Sequence, residues 1–357
     1  MLGLYIHIPF CRKKCFYCDF FSVKYEESFA GKYIESVAKH ASLYKNTKTA
    51  TVYIGGGTPS SLDENQIKSL LAGVASNFDL SQLKEFTFEA NPESLTETKL
   101  KILKDFGVNR LSMGLQSCDD RHLAKLGRIH DFKTFEKAFR MSRAAGFDNI
   151  NTDLMYGFPE QTSDGFQNDL SKTLEFGSEH ISLYPLTVEE NTVFYKNNVK
   201  TDSDLQREMY EKAAEVLKKS GYVHYEISNW SLKGKESLHN GNYWRNCEYI
   251  ALGAGAAGYY NRVRYKNVSD IEKYTALPQS AAAEREYING ELYETETIML
   301  GLRLLREGVD IKKFKSRKNI SALNDFLNNK ILINDNGKIR LSESSVYVSN
   351  SVISEFI

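Results

Sequence analysis

The chain has 357 residues, of which Lys plus Arg and Asp plus Glu each total 46, so its formal net charge is zero. At about 150 residues per domain this length predicts two to three units, and the charge balance excludes a net field drawing the protein to nucleic acid or an anionic membrane. No run of about 18 apolar residues occurs, which argues against a transmembrane helix.

Met1 runs directly into Leu2, Leu4, Ile6 and Ile8 with no basic region or small-residue cleavage site, so no signal peptide is expected. Five cysteines, three of them within eight residues, suit a metal site in a reducing compartment better than a disulfide framework, which places the protein in the cytosol.

Strand-like runs follow in order: Leu4 to Ile8, Thr51 to Ile54, Glu85 to Glu89, Arg110 to Leu115, Asn149 to Met155 and Ile181 to Leu186. Helical spacings separate them, with Asp63 before one helix and Gly107 and Gly146 closing two others. Six right-handed βα units predict a parallel sheet. Nearly every strand ends in groups that an apolar core would not choose: His7, Gly55 to Thr58, Glu89 with Asn91, Gln116 with Ser117, Asp153 and Thr187. In a β/α barrel such ends converge on one mouth, where active sites lie. The expected fold is therefore α/β, a partial (β/α)6 barrel over residues 1–200.

Beyond residue 200 the alternation weakens. Residues 201–285 are expected to form an α/β extension, with a helix from Asp204 to Ser220, a strand from Tyr222 to Ile227, and a Gly-rich stretch from Gly253 to Gly258. Residues 286–357 show a helix from Glu291 to Leu305, a helix from Ser321 to Asn329, a hairpin turning at Asn336-Gly337 and a final helix, an order that resembles a winged helix. A DNA-binding role would need a basic stripe. The run Lys312, Lys313, Lys315, Arg317 and Lys318 is short and its surroundings mixed, so it reads as a solvated surface.

Cys11, Cys15 and Cys18 sit on one loop after the first strand. Three thiolates can hold three irons of a cubane and leave the fourth open to an external ligand. Structural zinc would need a fourth ligand, from His7, Cys118 or Cys247. Unmetallated surface cysteines are the weaker alternative, because Arg12, Lys13 and Lys14 favour thiolates. Cys118 and Cys247 are expected to be buried as small hydrophobes. The Gly55-Gly56-Gly57-Thr58-Pro59 run lets a ligand approach the backbone, although a tight strand-to-helix turn would use the same glycines. Glu89, Gln116 and Asp153 could line a pocket for a sulfonium and a ribose, and Arg128 could pair with a carboxylate.

The C-x-x-x-C-x-x-C spacing with an aromatic before the last cysteine resembles the radical S-adenosylmethionine (SAM) signature. In that superfamily the open iron chelates the amino and carboxylate groups of SAM, and electron transfer cleaves the sulfonium. Tyr-Ile-His-Ile-Pro-Phe-Cys, Gly-Gly-Gly-Thr-Pro, Phe-Glu-Ala-Asn-Pro-Glu, Met-Gly-Leu-Gln-Ser, Leu-Gly-Arg-Ile-His and Asn-Thr-Asp-Leu-Met-Tyr-Gly-Phe-Pro further resemble the anaerobic coproporphyrinogen III oxidase family. That resemblance implies a [4Fe-4S] cluster on the three cysteines. It also implies SAM contacts from Tyr5, Gly56, Glu89, Gln116, Arg128 and Asp153, with Tyr17, Gly57, Thr58 and Thr187 nearby.

Two features depart from the oxidases. Phe20 stands where they carry a fourth cysteine, and the chain starts at the first strand where they carry an extension. Both departures, and His239-Asn240-Gly241-Asn242-Tyr243-Trp244, resemble the HemW-type heme chaperone branch and its H-N-x-x-Y-W motif. The resemblance implies heme as cargo, heme-acceptor proteins, an electron donor to the cluster and no nucleic-acid partner, with membrane docking left open. Oxidative decarboxylation of coproporphyrinogen III is the alternative activity. His239 is either an axial heme ligand or a histidine hydrogen-bonded within its segment, and the segment is either a helix or a loop.

Overall fold

The computed structural model describes residues 1–357. Twelve strands form one sheet. They are β1 Gly3–Ile8, β2 Thr51–Gly56, β3 Glu85–Ala90, β4 Arg110–Gln116, β5 Ile150–Tyr156, β6 His180–Pro185, β7 Val223–Glu226, β8 Asn229–Ser231, β9 Tyr249–Leu252, β10 Ala257–Tyr260, β11 Val263–Asn267 and β12 Ala282–Tyr287. Their spatial order is β7-β8-β6-β5-β4-β3-β2-β1-β9-β10-β11-β12. The six expected strands run parallel, and β9 adds a seventh parallel strand beside β1, with Leu4 opposite Ile250. The remaining strands pair antiparallel at the two flanks. Residues 201–285 thus extend the barrel sheet rather than forming a body of their own.

The strands alternate with period two, and the alternation decides which face meets the helices. Leu4, Ile6, Ile8, Val52, Ile54, Phe86, Phe88, Leu111, Met113, Leu115, Leu154, Ile181 and Leu183 belong to one apolar core. The intervening residues keep register from strand to strand: Tyr5 lies opposite Tyr53, Tyr53 opposite Thr87, Glu89 opposite Ser112, Ser112 opposite Asn151, and Asn151 opposite His180. This inner face is polar or aromatic, unlike the branched aliphatic layers usual inside a closed barrel.

The outer helices are α1 Glu27–Ala41, α2 Glu64–Asn77, α3 Glu97–Asp105, α4 Phe132–Ala144, α5 Ser163–Glu175 and α6 Ser203–Lys219. Asp63, Thr96, Asp131, Thr162 and Asp202 accept from first-turn amides and so cap five of them. Leu238–Trp244 forms a short helix, α7, so the helical alternative for this segment is the one observed. Gly241 and two asparagines give it little intrinsic propensity. Tertiary contacts hold it instead: Ser237 caps Asn240 N, and the buried Glu85 carboxylate accepts from Leu238 N (2.8 Å) and His239 N (2.9 Å).

At the C-terminal end lie α8 Gly290–Gly301, α9 Arg317–Asn328 and α10 Ser349–Ser354, with β13 Val309–Asp310, β14 Leu332–Asp335 and β15 Lys338–Leu341 in a separate three-stranded sheet. The first strand of that sheet was absent from the expected helix-helix-hairpin order. This unit is tied to the barrel: Leu305 N donates to Tyr225 O, and Arg303 lies over the Trp244 ring and faces the buried Glu226 at 3.8 Å. No helix is long and apolar enough to cross a membrane.

Phe88 is fully buried between the sheet and its helices. Phe88→Ala should therefore cost about 3–5 kcal/mol in urea unfolding of the metal-free protein, whereas Lys101→Ala, on an exposed i,i+4 pair with Asp105, should change stability by less than about 0.5 kcal/mol.

Candidate active site at the barrel mouth

The cysteine loop leaves β1 and is pinned at both ends. Cys11 pairs with Lys24 in a two-residue parallel ladder, Phe16 N donates to Leu126 O, and Phe194 N donates to Phe16 O. The loop therefore hangs over the C-terminal ends of the strands, and all three sulfurs are half-buried. Beneath it opens a cavity of about 450 Å³. Cys11, Cys15, Cys18, Tyr17, Gly56, Gly57, Thr58, Glu89, Gln116, Arg128, Asp153 and Thr187 all line it, so the barrel brings together nearly every residue the sequence nominates.

Two glycines let the backbone pass close to its neighbours, Gly56 against the His7 ring and Gly57 against the cysteine loop. Gly56 sits at φ +115°, and a Cβ on Gly57 would lie 2.9 Å from Phe10 O and 3.0 Å from Cys11 Sγ. Around the sulfurs runs a polar belt. Thr58 Oγ1 donates to Cys11 Sγ (3.5 Å), Asn91 Nδ2 donates to Thr58 Oγ1 (3.2 Å), Arg128 Nη2 donates to Asn91 Oδ1 (2.7 Å), and Arg128 Nη1 reaches Cys15 Sγ (3.6 Å). Such bonds orient cluster ligands and tune a cluster's potential.

Burial pushes the Cys11 thiol up and the Cys18 thiol up to about 11; Lys14 pulls Cys18 in the thiolate-favouring direction, but burial outweighs it. Deprotonation falls instead to a bound metal, which ionises coordinating thiols outright. Structural zinc would need a fourth ligand beyond the three loop cysteines, and Cys118, one of the candidates named for it, is buried against Asp169 and Thr173. Sulfurs spread along one loop suit a cubane, whose irons are distributed. Cys118 is buried as expected, whereas Cys247 is half-exposed.

Deeper in the cavity, burial raises the Glu89 carboxyl to about 7 and pushes Asp153 upward, with repulsion from Asp153 adding to the effect on Glu89. Tyr53 OH donates to Glu89 Oε1 (2.6 Å), Gly56 N donates to Oε2 (3.0 Å), and Asn151 Nδ2 donates to Asp153 Oδ1 (2.8 Å). Two half-buried carboxyls, open to the cavity and without an ion-pair partner, make the floor complementary to a cationic ligand, which the sulfonium of SAM is. Gln116 adopts φ +72° beside a β-bulge that breaks the β4–β5 register after Gly114.

Two nominated residues lie elsewhere. Tyr5 points into the barrel below the cavity, where its hydroxyl bonds His7 Nδ1 at 2.9 Å. His239 is 0% exposed at the opposite end of the barrel, with Nδ1 bonded to Thr51 Oγ1 and Nε2 to Tyr243 OH, both at 2.8 Å. Both ring nitrogens are taken, which is the hydrogen-bonded arrangement of the two alternatives. Sequence reasoning also missed contributors. Asn91 was seen only as a strand end, and Tyr184 could have been found by continuing the alternation His180, Ser182, Tyr184 into the mouth.

The radical SAM superfamily profile matches residues 5–172. The chain is 37% identical to the heme chaperone HemW of Lactococcus lactis, over 99% of this chain and 96% of that one. The chain belongs to the HemW family of radical SAM proteins. HemW of Bacillus subtilis is also 37% identical, over 98% of this chain and 96% of the relative, and HemW of Escherichia coli is 36% identical over 72% and 70%. The fold superposes on coproporphyrinogen III oxidase (HemN) from Escherichia coli, a radical SAM enzyme, with a TM-score of 0.87, 19% identity and coverage of 99% of this chain and 89% of that one. At that identity the likeness is one of fold. Membership of a radical SAM family carries a [4Fe-4S] cluster and SAM, and the donor set at the HemW-type mouth fits both.

Because the folded-state pKa of Glu89 lies above its ordinary value, its stabilising proton is fully held below the ordinary carboxylate range and is lost as pH rises through about 7. Glu89→Gln keeps a neutral group at every pH. Its melting temperature relative to the wild type should therefore rise between pH 5 and pH 8 in the metal-free protein, by the equivalent of up to about 2.5 kcal/mol.

Proposed function

We propose that this protein binds heme and transfers it to acceptor proteins, with Cys11, Cys15 and Cys18 holding a [4Fe-4S] cluster and an electron donor serving that cluster. The observation that carries the reading is similarity to proteins named heme chaperones across nearly the whole of both chains. Glu89 and Asp153 meet the cationic part of SAM, Gln116 and Thr187 flank it, and Gly56, Gly57, Thr58 and Tyr17 close the cavity around it. Arg128 steadies the cluster through Cys15. When bound on the cluster, SAM supplies a sulfonium that one-electron reduction can cleave.

Heme sits on the outer rim of the same mouth in this reading. Phe20 is 64% exposed beside Cys18, and Lys13, Lys14 and Tyr184 line the rim with it. An exposed aromatic offers a porphyrin face, and two lysines offer partners for propionates. Asp19 and Glu189 share the rim, so the lysines act locally and not through a broad basic field. The lining includes no histidine. Weak axial ligation suits a cargo that must be released.

The test is anaerobic reconstitution followed by parallel heme-binding and coproporphyrinogen III decarboxylation assays. Heme binding without decarboxylation is expected. Decarboxylation without heme binding would replace this reading with the oxidase one. In the same preparations Cys15→Ser should lose the cluster absorption and most iron, and Cys118→Ser should keep both.

A further inference from the structure

The carboxyls of the SAM cavity are held from below by a floor that begins at α7. On one side, the His239 ring stacks on the Tyr53 ring with centroids 5.2 Å apart and planes 30° from parallel. Its two nitrogens are fixed by Thr51 and Tyr243, and a Cβ on Gly3 would come within 3.1 Å of its Cε1, so the ring packs closely on β1 where that strand carries no side chain. Tyr53, seated on that ring, donates one of the two hydrogen bonds that orient Glu89.

On the other side runs a chain with fixed direction. Ser237 N donates to Tyr225 OH (3.3 Å); because Asn151 Oδ1 can only accept, a neutral His180 carries its proton on Nδ1, and the Tyr225 hydroxyl therefore donates to His180 Nε2 (2.8 Å). His180 Nδ1 donates to Asn151 Oδ1 (2.6 Å), and the Asn151 amide donates to Asp153 Oδ1 (2.8 Å). Ser182 Oγ also donates to Asn151 Oδ1, and Asn151 Nδ2 also donates to Ser112 Oγ, so the amide orientation is doubly determined. Burial keeps both His180 and His239 neutral, as stacking and this donor order require.

We propose that the His239-Asn-Gly-Asn-Tyr-Trp helix supports the floor of the SAM site from below, and that His239 is a positioning residue acting through Tyr53 on Glu89. The motif taken from sequence as a heme-binding element is thereby assigned to the other ligand. This rests on the reading that Glu89 and Asp153 face SAM, and the experiment separates the two.

SAM titrations of the cluster-reconstituted protein, followed by calorimetry and by the SAM-induced change in the reduced-cluster EPR signal, would test it. Tyr53→Phe and His239→Ala should each raise the SAM dissociation constant about tenfold, as expected for loss of a hydrogen bond to a charged group. The double variant should be no worse than the singles, because both act on one bond. Iron content and heme affinity should stay within about twofold of wild type. Unchanged SAM affinity in both single variants, fully multiplicative effects in the double variant, or lost heme binding with intact SAM affinity in His239→Ala would overturn the proposal. If His239→Ala cannot be purified, Thr51→Val removes only one partner of the ring. Weaker SAM binding would then support the proposal and unchanged binding would overturn it. If the wild type itself binds no SAM, the underlying site reading fails first.

Discussion

A polar barrel interior constrains everything else in this molecule. Burying hydroxyls, amides and carboxyls away from water costs free energy unless each finds a partner, and here successive strands present them row upon row. Many of the row residues solve the problem by bonding to one another: His180 to Asn151, Asn151 to Asp153, Thr51 to His239, Tyr53 to Glu89, while Thr87 Oγ1 and Arg110 Nε are buried without a hydrogen-bond partner. The lower barrel is therefore a shaped and rigid support, and only the top row meets the cavity. The apolar half of each strand is free to pack helices, which is why one sequence period serves both stability and site construction.

Much of this was legible because it is local. Strand runs with polar C-terminal ends, the spacing of Cys11, Cys15 and Cys18, and the Gly55 to Gly57 run are short-range patterns whose physical reasons travel with them. What could not be read depended on distant partners. The strand Tyr249–Leu252 carries no mark that it will lie parallel to β1. The segment Leu238–Trp244 has poor helix propensity, and the Glu85 carboxylate that fixes it lies about 150 residues earlier in the chain. His239 illustrates the same limit: its motif drew attention, but its two bonds, to Thr51 and Tyr243, decide what it can do.

The C-terminal unit follows this logic at larger scale. Arg303 reaches Trp244 and Glu226, and Arg245 pairs with Glu307, so α7 is held from outside the barrel as well as from within. A boundary drawn at residue 286 from the change in element pattern crosses a set of contacts that join the unit to α7. Movement of this unit would be felt first by α7.

The placement of β1 between β2 and β9 has a further consequence, for the order of assembly. A strand made of residues 3–8 cannot acquire both neighbours until residues 249–252 have left the ribosome, and the pairing spans most of the chain. The cysteine loop at residues 11–18 is therefore synthesised long before the floor and flanking strand that complete its surroundings. Iron–sulfur loading that needs the finished mouth is a late, post-synthetic event, and the nascent chain passes through a long interval in which those thiols are present without their pocket.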